Sequence, residues 1–150
     1  MKDLICCFIG HRDASGMEEL IRPVIARLIE EGVTVFYSGG MGGFDKMCEQ
    51  AVREQGARLV YIPYNRSCIK PYTLAYYDDI ICPNENNFYS KSDIPKRNMW
   101  MVEHSHIALY HVRRPGGAAK TLDMARKRGV QVIDLDSPEP TPYYWDPEEE

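Results

Sequence analysis

The chain has 150 residues, a formal net charge of −4 and a pI near 5.6, which matches one ordinary domain with a single core and gives no electrostatic reason for strong nucleic-acid binding. No apolar run approaches the roughly 20 residues that cross a bilayer, and the first residues lead into a short apolar segment rather than a signal-peptide cleavage region, so a cytoplasmic protein without a membrane partner is expected. The five cysteines, Cys6, Cys7, Cys48, Cys68 and Cys82, are odd in number and lack CxxC or zinc-finger spacing, which fits reduced thiols better than disulfides or metal ligands.

Residues 4–9, Leu-Ile-Cys-Cys-Phe-Ile, form an almost wholly apolar run that suits a strand covered on both faces. It ends at Gly10-His11-Arg12. Beyond Ser15-Gly16, the residues Leu20, Ile21, Val24, Ile25, Leu28 and Ile29 recur at helical spacing, with Gly32 as terminator. The same grammar returns: strand over 33–37, a turn Ser38-Gly39-Gly40-Met41-Gly42-Gly43, helix over 44–55, and strand over 58–62 ending at Pro63. After an irregular stretch come a helix over 94–103, a strand over 107–111, a turn plus helix over 116–128, and a last strand over 130–135. Strands alternating with helices through short Gly-bearing turns predict an α/β, Rossmann-like domain with a mostly parallel sheet and helices on both faces.

Two segments break the alternation. Residues 64–93 are rich in Tyr, Asn, Pro and Ser and too long for a structureless loop, so they are expected to contain short elements and to cover part of a ligand site. Residues 137–150 carry Pro138, Pro140, Pro142 and Pro147 and end in three glutamates, which predicts an extended or mobile tail behind a domain of residues 1–136, with Tyr143, Tyr144 and Trp145 placed to dock on a surface.

In an open parallel sheet, ligands collect at the carboxyl ends of the strands where the strand order reverses. Every unusual turn of this sequence falls at such an end. In the Ser38–Gly43 turn the glycines allow positive φ and close backbone approach, while the following helix start points amides and partial positive charge outward, a cradle suited to a phosphate. Asp45 sits in the first helical turn, where it contacts a ribose or base or else stabilises the helix dipole. The segment Gly116-Gly117-Ala118-Ala119-Lys120-Thr121 superficially resembles the end of a Walker A loop, but Ala119 stands where a glycine is needed, which argues against ATP hydrolysis by that route. As a second helix start, Gly116, Gly117 and Thr121 offer donors to a phosphate or sugar. Gly10, His11 and Arg12 follow a strand end where a core role is not expected, and the Arg12 cation favours an anion. His104 and His106 have no carboxylate or cysteine at ligand spacing, so no metal is expected, and nothing calls for a cofactor. Met99, Trp100, Met101 and Val102 read as core packing.

Taken together, Phe8-Ile9-Gly10-His11-Arg12, Tyr37-Ser38-Gly39-Gly40-Met41-Gly42-Gly43-Phe44-Asp45, the run from Lys96 through Arg97 and Asn98 to Ser105, and Gly116 to Thr121 resemble the SLOG superfamily. That group unites the DNA-processing protein DprA/Smf with the LONELY GUY phosphoribohydrolases, and within it the likeness is to the YpsA-like branch. The resemblance implies a nucleotide or nucleotide-derived ligand, with Arg97 and Asn98 facing it beside the Gly turns. In LONELY GUY enzymes an arginine and the glutamate of a Pro-Gly-Gly-x-Gly-Thr-x-x-Glu motif support cleavage of an N-glycosidic bond. Arg97 stands for that arginine, but after Pro115-Gly116-Gly117 the spacing is altered and no glutamate occurs where the pattern needs one, with Asp123 and Ala125 nearby instead. The expected function is therefore that of a sensor or regulator binding a phosphate-bearing small molecule. One alternative is N-glycosidic hydrolysis of a nucleoside monophosphate, with Asp45, Asp123 or Glu103 supplying the carboxylate. The other is single-stranded DNA binding through Arg113, Arg114, Lys120, Arg126, Lys127 and Arg128, which the acidic overall balance disfavours. A homo-oligomer is expected by analogy with the relatives.

Overall fold

The computed structural model of the protein describes residues 2–138. The Pro-rich tail read from the sequence lies outside the described residues from residue 139 onward. Six strands form one sheet in the order β4-β3-β2-β1-β5-β6, and every neighbouring pair is parallel. They are β1 (Ile5–Gly10), β2 (Val35–Ser38), β3 (Arg58–Tyr61), β4 (Asp79–Ile80), β5 (Ile107–His111) and β6 (Gln131–Asp134). The helices are α1 (Glu18–Glu30), α2 (Gly43–Glu54), α3 (Thr73–Tyr76), α4 (Asp93–Glu103) and α5 (Gly117–Lys127).

Alternate residues of each central strand enter different cores, because side chains project to opposite faces with a period of two. Cys6 and Phe8 of β1 join Ile21, Ile25 and Leu28 of α1 and Phe44, Cys48 and Val52 of α2 on one face. Cys7 and Ile9 join Met101 and Val102 of α4 and Leu122 and Ala125 of α5 on the other. A strand sandwiched in this way must be apolar throughout, which is why residues 4–9 show no alternation. Cys6, Cys7 and Cys48 are fully buried free thiols and Cys68 and Cys82 are half-buried. No helix among the described residues is long and apolar enough to cross a membrane.

The irregular stretch 64–93 holds a 3₁₀ turn at Arg66–Cys68, the short helix α3 and the edge strand β4. A buried polar knot fixes its two ends. The Asp93 carboxylate, 3% exposed, accepts from Asn65 Nδ2 at 3.1 Å, Asn84 Nδ2 at 3.0 Å and the Ser90 amide at 2.9 Å. These donors, the Ser90 amide foremost, hold the carboxyl below the usual aspartate range. The knot also fixes the first turn of α4, the helix that carries Arg97.

The chain order explains where the sheet opens. From β1 the strands step outward through β2 and β3 to β4, and the chain then returns to the opposite side of β1 to lay down β5 and β6. The reversal lies between β1 and β5.

Candidate ligand cavity at the strand reversal

A cavity of about 350 Å³ opens at the carboxyl ends of β1 and β5, where such a sheet provides a crevice. Its lining brings together Gly10, His11 and Arg12 after β1, Met41 and Asp45 at the start of α2, Arg97 and Asn98 on α4, and Gly116, Gly117 and Thr121 at the start of α5. Ser38, Gly39, Gly40, Gly42 and Gly43 do not line it. Arg114 and Pro115, from the same strand-end turn as Gly116 and Gly117, line it too, with Met101 and Ala118 from the motifs that carry the resemblance, and so does Ile94, which carries no sequence signal for the site. Met101 combines the expected core packing with a second part: only 3% exposed, it also forms some of the cavity wall.

The glycine turn after β2 is not the open anion cradle that its composition suggests. The amide of Gly43 donates to the Arg12 carbonyl at 2.7 Å and that of Phe44 to the His11 carbonyl at 3.4 Å. The amide of Met41 donates to Asp45 Oδ2 at 3.0 Å and that of Gly40 to Ser38 Oγ at 3.1 Å. The helix start is thus capped by the loop that follows β1. The glycines serve this close approach: a Cβ on Gly43 would lie 1.9 Å from the Ala14 carbonyl oxygen, and one on Gly42 would lie 2.4 Å from Arg12 Cα. Ser38 is wholly buried and donates to Glu49 Oε2 at 2.6 Å, away from the cavity.

The start of α5 is the open one. Gly116 takes φ +139° and caps the helix with no side-chain bond, and a Cβ on either Gly116 or Gly117 would meet nothing within 4 Å. First-turn amides at such an end have no intrahelical acceptor and carry the positive end of the helix dipole. Thr121 departs from its expected part as a donor, since its hydroxyl already donates to the Gly117 carbonyl at 2.9 Å.

Arg97 dominates the electrostatics. It is 5% exposed and has no carboxylate within ion-pair distance among the described residues. Its Nη1 donates to the carbonyls of Gly39 at 2.9 Å and Ile62 at 3.0 Å, and its Nε donates to Asn98 Oδ1 at 2.9 Å. A Cβ on Gly39 would lie 2.7 Å from the Arg97 Cζ, so this glycine is required by the arginine rather than by a ligand. Burial lowers the guanidinium pKa, opposed by the field of Asp45. Asp45, facing the same cavity, has its carboxyl pushed up to about 7, chiefly by desolvation, against the Met41 amide bond and the Arg97 charge, which lower it.

His11 is buried rather than peripheral. Its Nε2 accepts from the Arg113 amide at 2.9 Å, tying the loop after β1 to the loop after β5, and desolvation lowers its pKa, so the neutral ring is the stable form. Arg12 is exposed and carries no ion pair among the described residues, while Arg114 is held by Asp13 at 2.8 Å. Of the carboxyls offered for catalysis only Asp45 faces the cavity. Asp123 is exposed and absent from its lining, and Glu103 pairs with Arg128 at 2.7 Å. Among the described residues no three His, Cys, Asp or Glu side chains converge as metal ligands.

No protein-family model matches this sequence, and no curated protein matches it. Solved structures match its fold. DNA processing protein A from Streptococcus pneumoniae aligns with a TM-score of 0.70 at 16% identity, covering 88% of this chain and 50% of that one. DNA processing protein A from Helicobacter pylori, described for its single-stranded DNA binding mode, aligns with a TM-score of 0.70 at 16% identity over 87% of this chain and 64% of that one. The likeness is one of fold. A molybdenum cofactor binding protein from Rippkaea orientalis shares it, with a TM-score of 0.63 at 17% identity over 89% of this chain and 77% of that one. The chain therefore spans half to just under two thirds of the length of the two DNA processing proteins, and at these identities what the structures have in common with it is the architecture.

Proposed function

We propose that the cavity at the strand reversal binds a phosphate-bearing nucleotide or nucleotide-derived small molecule, and that the protein acts as a sensor or regulator of that ligand. The observation that carries the reading is Arg97, a buried guanidinium without a carboxylate partner among the described residues, lining one cavity with the uncapped start of α5. A buried cation without a counter-ion is costly, and an anionic ligand offsets that cost. The amides of α5 and the exposed Arg12 add donors, and Ile94 and Met101 give the cavity an apolar wall for a ring. The family likeness to the YpsA-like branch supports the nucleotide part of the reading from sequence resemblance alone. Calorimetric titration with nucleoside mono- and diphosphates, nucleotide sugars and cyclic dinucleotides tests it. Saturable binding that Arg97→Lys weakens supports it, and silence across the whole panel overturns it.

Two further readings each have an observation behind them. Asp45, with its carboxyl raised to about 7, has the ionisation suited to general acid or base work near neutral pH, which favours hydrolysis of the N-glycosidic bond of a nucleoside monophosphate. Release of free base and ribose 5-phosphate, lost in Asp45→Asn, is its signature. Single-stranded DNA binding is supported by the binding mode described for the Helicobacter pylori neighbour, so the acidic net charge does not remove nucleic acid as a partner. Three of the six basic residues offered for it are held in ion pairs, Arg113 with Asp134 and Asp136, Arg114 with Asp13, and Arg128 with Glu103. A gel shift that weakens steeply with salt supports the DNA reading.

A further inference from the structure

Across the Gly40 turn lies a second cavity, of about 510 Å³, and none of its lining residues lines the first. Four tyrosines surround it, Tyr61, Tyr72, Tyr76 and Tyr77, together with Lys46 and Gln50 from the outer side of α2. Its walls are flat and fixed. Tyr61 and Tyr77 stack with centroids 4.7 Å apart and planes 14° from parallel, and Tyr76 meets Tyr77 edge-on at 4.9 Å. The Tyr77 hydroxyl donates to Glu49 Oε2 at 2.8 Å. The same carboxyl, on a residue 1% exposed, accepts from Ser38. From above, Gly40 presses on the stack so closely that a Cβ there would lie 2.7 Å from Tyr61 and 2.9 Å from the Tyr77 hydroxyl.

The chemistry of the lining selects its occupant. Tyr72 keeps 72% of its surface in solvent although it borders the cavity, and a ring stacked on it would remove that apolar area from water. A cationic guest finds its places taken, since the Arg53 guanidinium already sits 4.3 Å over the Tyr76 ring and Glu49 is committed to two hydroxyls. The charged group that borders the cavity is the Lys46 ammonium, which has no carboxylate within ion-pair distance among the described residues. Gln50 adds an amide that both donates and accepts at a polar ring edge. We propose that this cavity is a second binding site, for a planar aromatic or heteroaromatic anion.

The test uses the full chain and 2-naphthoate, a planar fluorescent carboxylate, with 2-naphthamide as its uncharged counterpart. The naphthoate is expected to saturate and to bind more tightly than the amide. Lys46→Gln weakens it roughly threefold or more, the upper range for an exposed ion pair, and Tyr72→Ala weakens it about two- to tenfold, the worth of one aromatic stacking contact. Both residues are exposed at the surface, so both variants fold. The probe also slows alkylation of Cys68, which lines this cavity. The proposal is overturned by the absence of saturable binding in the millimolar range, by equal affinity for acid and amide, by wild-type affinity in either surface variant, or by an alkylation rate of Cys68 unchanged at saturating probe, which places the probe outside this cavity. Nucleotide titrations on the same variants report the first cavity separately, so the two readings fail independently.

Discussion

Arg97 spends three of its five N–H donors on fixed partners, the carbonyls of Gly39 and Ile62 and the amide oxygen of Asn98, and its Nη2 meets only the weak acceptor Sδ of Met41 at 3.8 Å. The side chain is therefore positioned by the fold and left with donors for a ligand. Lysine keeps the charge but has no planar fork to make these bonds together, so Arg97→Lys is expected to cost about 1.5–3 kcal/mol of phosphate-ligand affinity, roughly 10- to 150-fold, by calorimetry. Unchanged affinity in a folded variant would place the ligand elsewhere. Asp45 gives a pH dependence whose sign follows from its raised pKa. The folded protein holds a proton that the unfolded chain releases above about pH 4, so this group's contribution to stability is lost as pH rises from there to its folded value of about 7. Urea denaturation at several pH values should show wild type losing stability relative to Asp45→Asn across that window, by up to a few kcal/mol. Anion affinity should fall over the upper part of the same window, because the carboxylate that forms beside Arg97 competes with the ligand. A pH profile identical in the two proteins would mean that Asp45 titrates as an ordinary surface carboxyl.

Two helix starts, both reached through paired glycines, are physically different, and the difference is not legible in their composition. At α2 the glycines admit the backbone of the loop after β1, whose carbonyls fill the amide positions. At α5 nothing approaches. Glycine patterns report that something comes close to the main chain, and they do not say whether it is a ligand or another part of the protein. Arg97, by contrast, is legible in the sequence only through resemblance to a family, because a mid-helix arginine carries no local sign of burial. Glu49 and Asp93 escape a reading of the sequence in a similar way: tertiary contacts bury both, Ser38 and Tyr77 bond Glu49, and Asn65 and Asn84 bond Asp93 beside the local Ser90 amide. The two starts can be separated by substitution. Gly43→Ala forces a Cβ against a backbone carbonyl and should cost roughly 1–3 kcal/mol of stability, read as a lowered Tm. Gly117→Pro sits at the first helical position, where proline is well tolerated, and should keep the Tm while removing one amide from the cavity and weakening phosphate binding. Should Gly117→Pro bind as well as wild type, the α5 amides are not ligand donors.

The alternation of strands and helices makes the parallel sheet readable in the amino-acid sequence, because each element announces its own period and its own terminator. Strand order is not readable in the same way. The reversal between β1 and β5 depends on a two-residue edge strand, β4, and on the pinned segment 64–93, which directs the chain back across the sheet. The length and composition of that segment point to a cover over the ligand site, yet none of it lines the first cavity, and five of its residues border the second. The molecule thus carries two cavities on either side of one turn. Arg97 holds the Gly39 carbonyl, the Gly40 amide rests on Ser38, and Ser38 and Tyr77 share Glu49, so a continuous set of hydrogen bonds runs from one cavity to the other. A ligand that shifts the tyrosine stack must shift the Gly40 turn, since no space separates them. Occupancy of the second cavity by 2-naphthoate should then change nucleotide affinity in the first by about fivefold or more, and nucleotide should change naphthoate affinity by the same factor, as linkage requires. Glu49→Gln replaces one of the two acceptor oxygens with a donor and should bring both factors toward unity while leaving each ligand able to bind alone. Paired calorimetric titrations, each with the other ligand at saturation, measure all four affinities. Factors of one in both directions for the wild-type protein would show that the turn is rigid enough to keep the cavities independent.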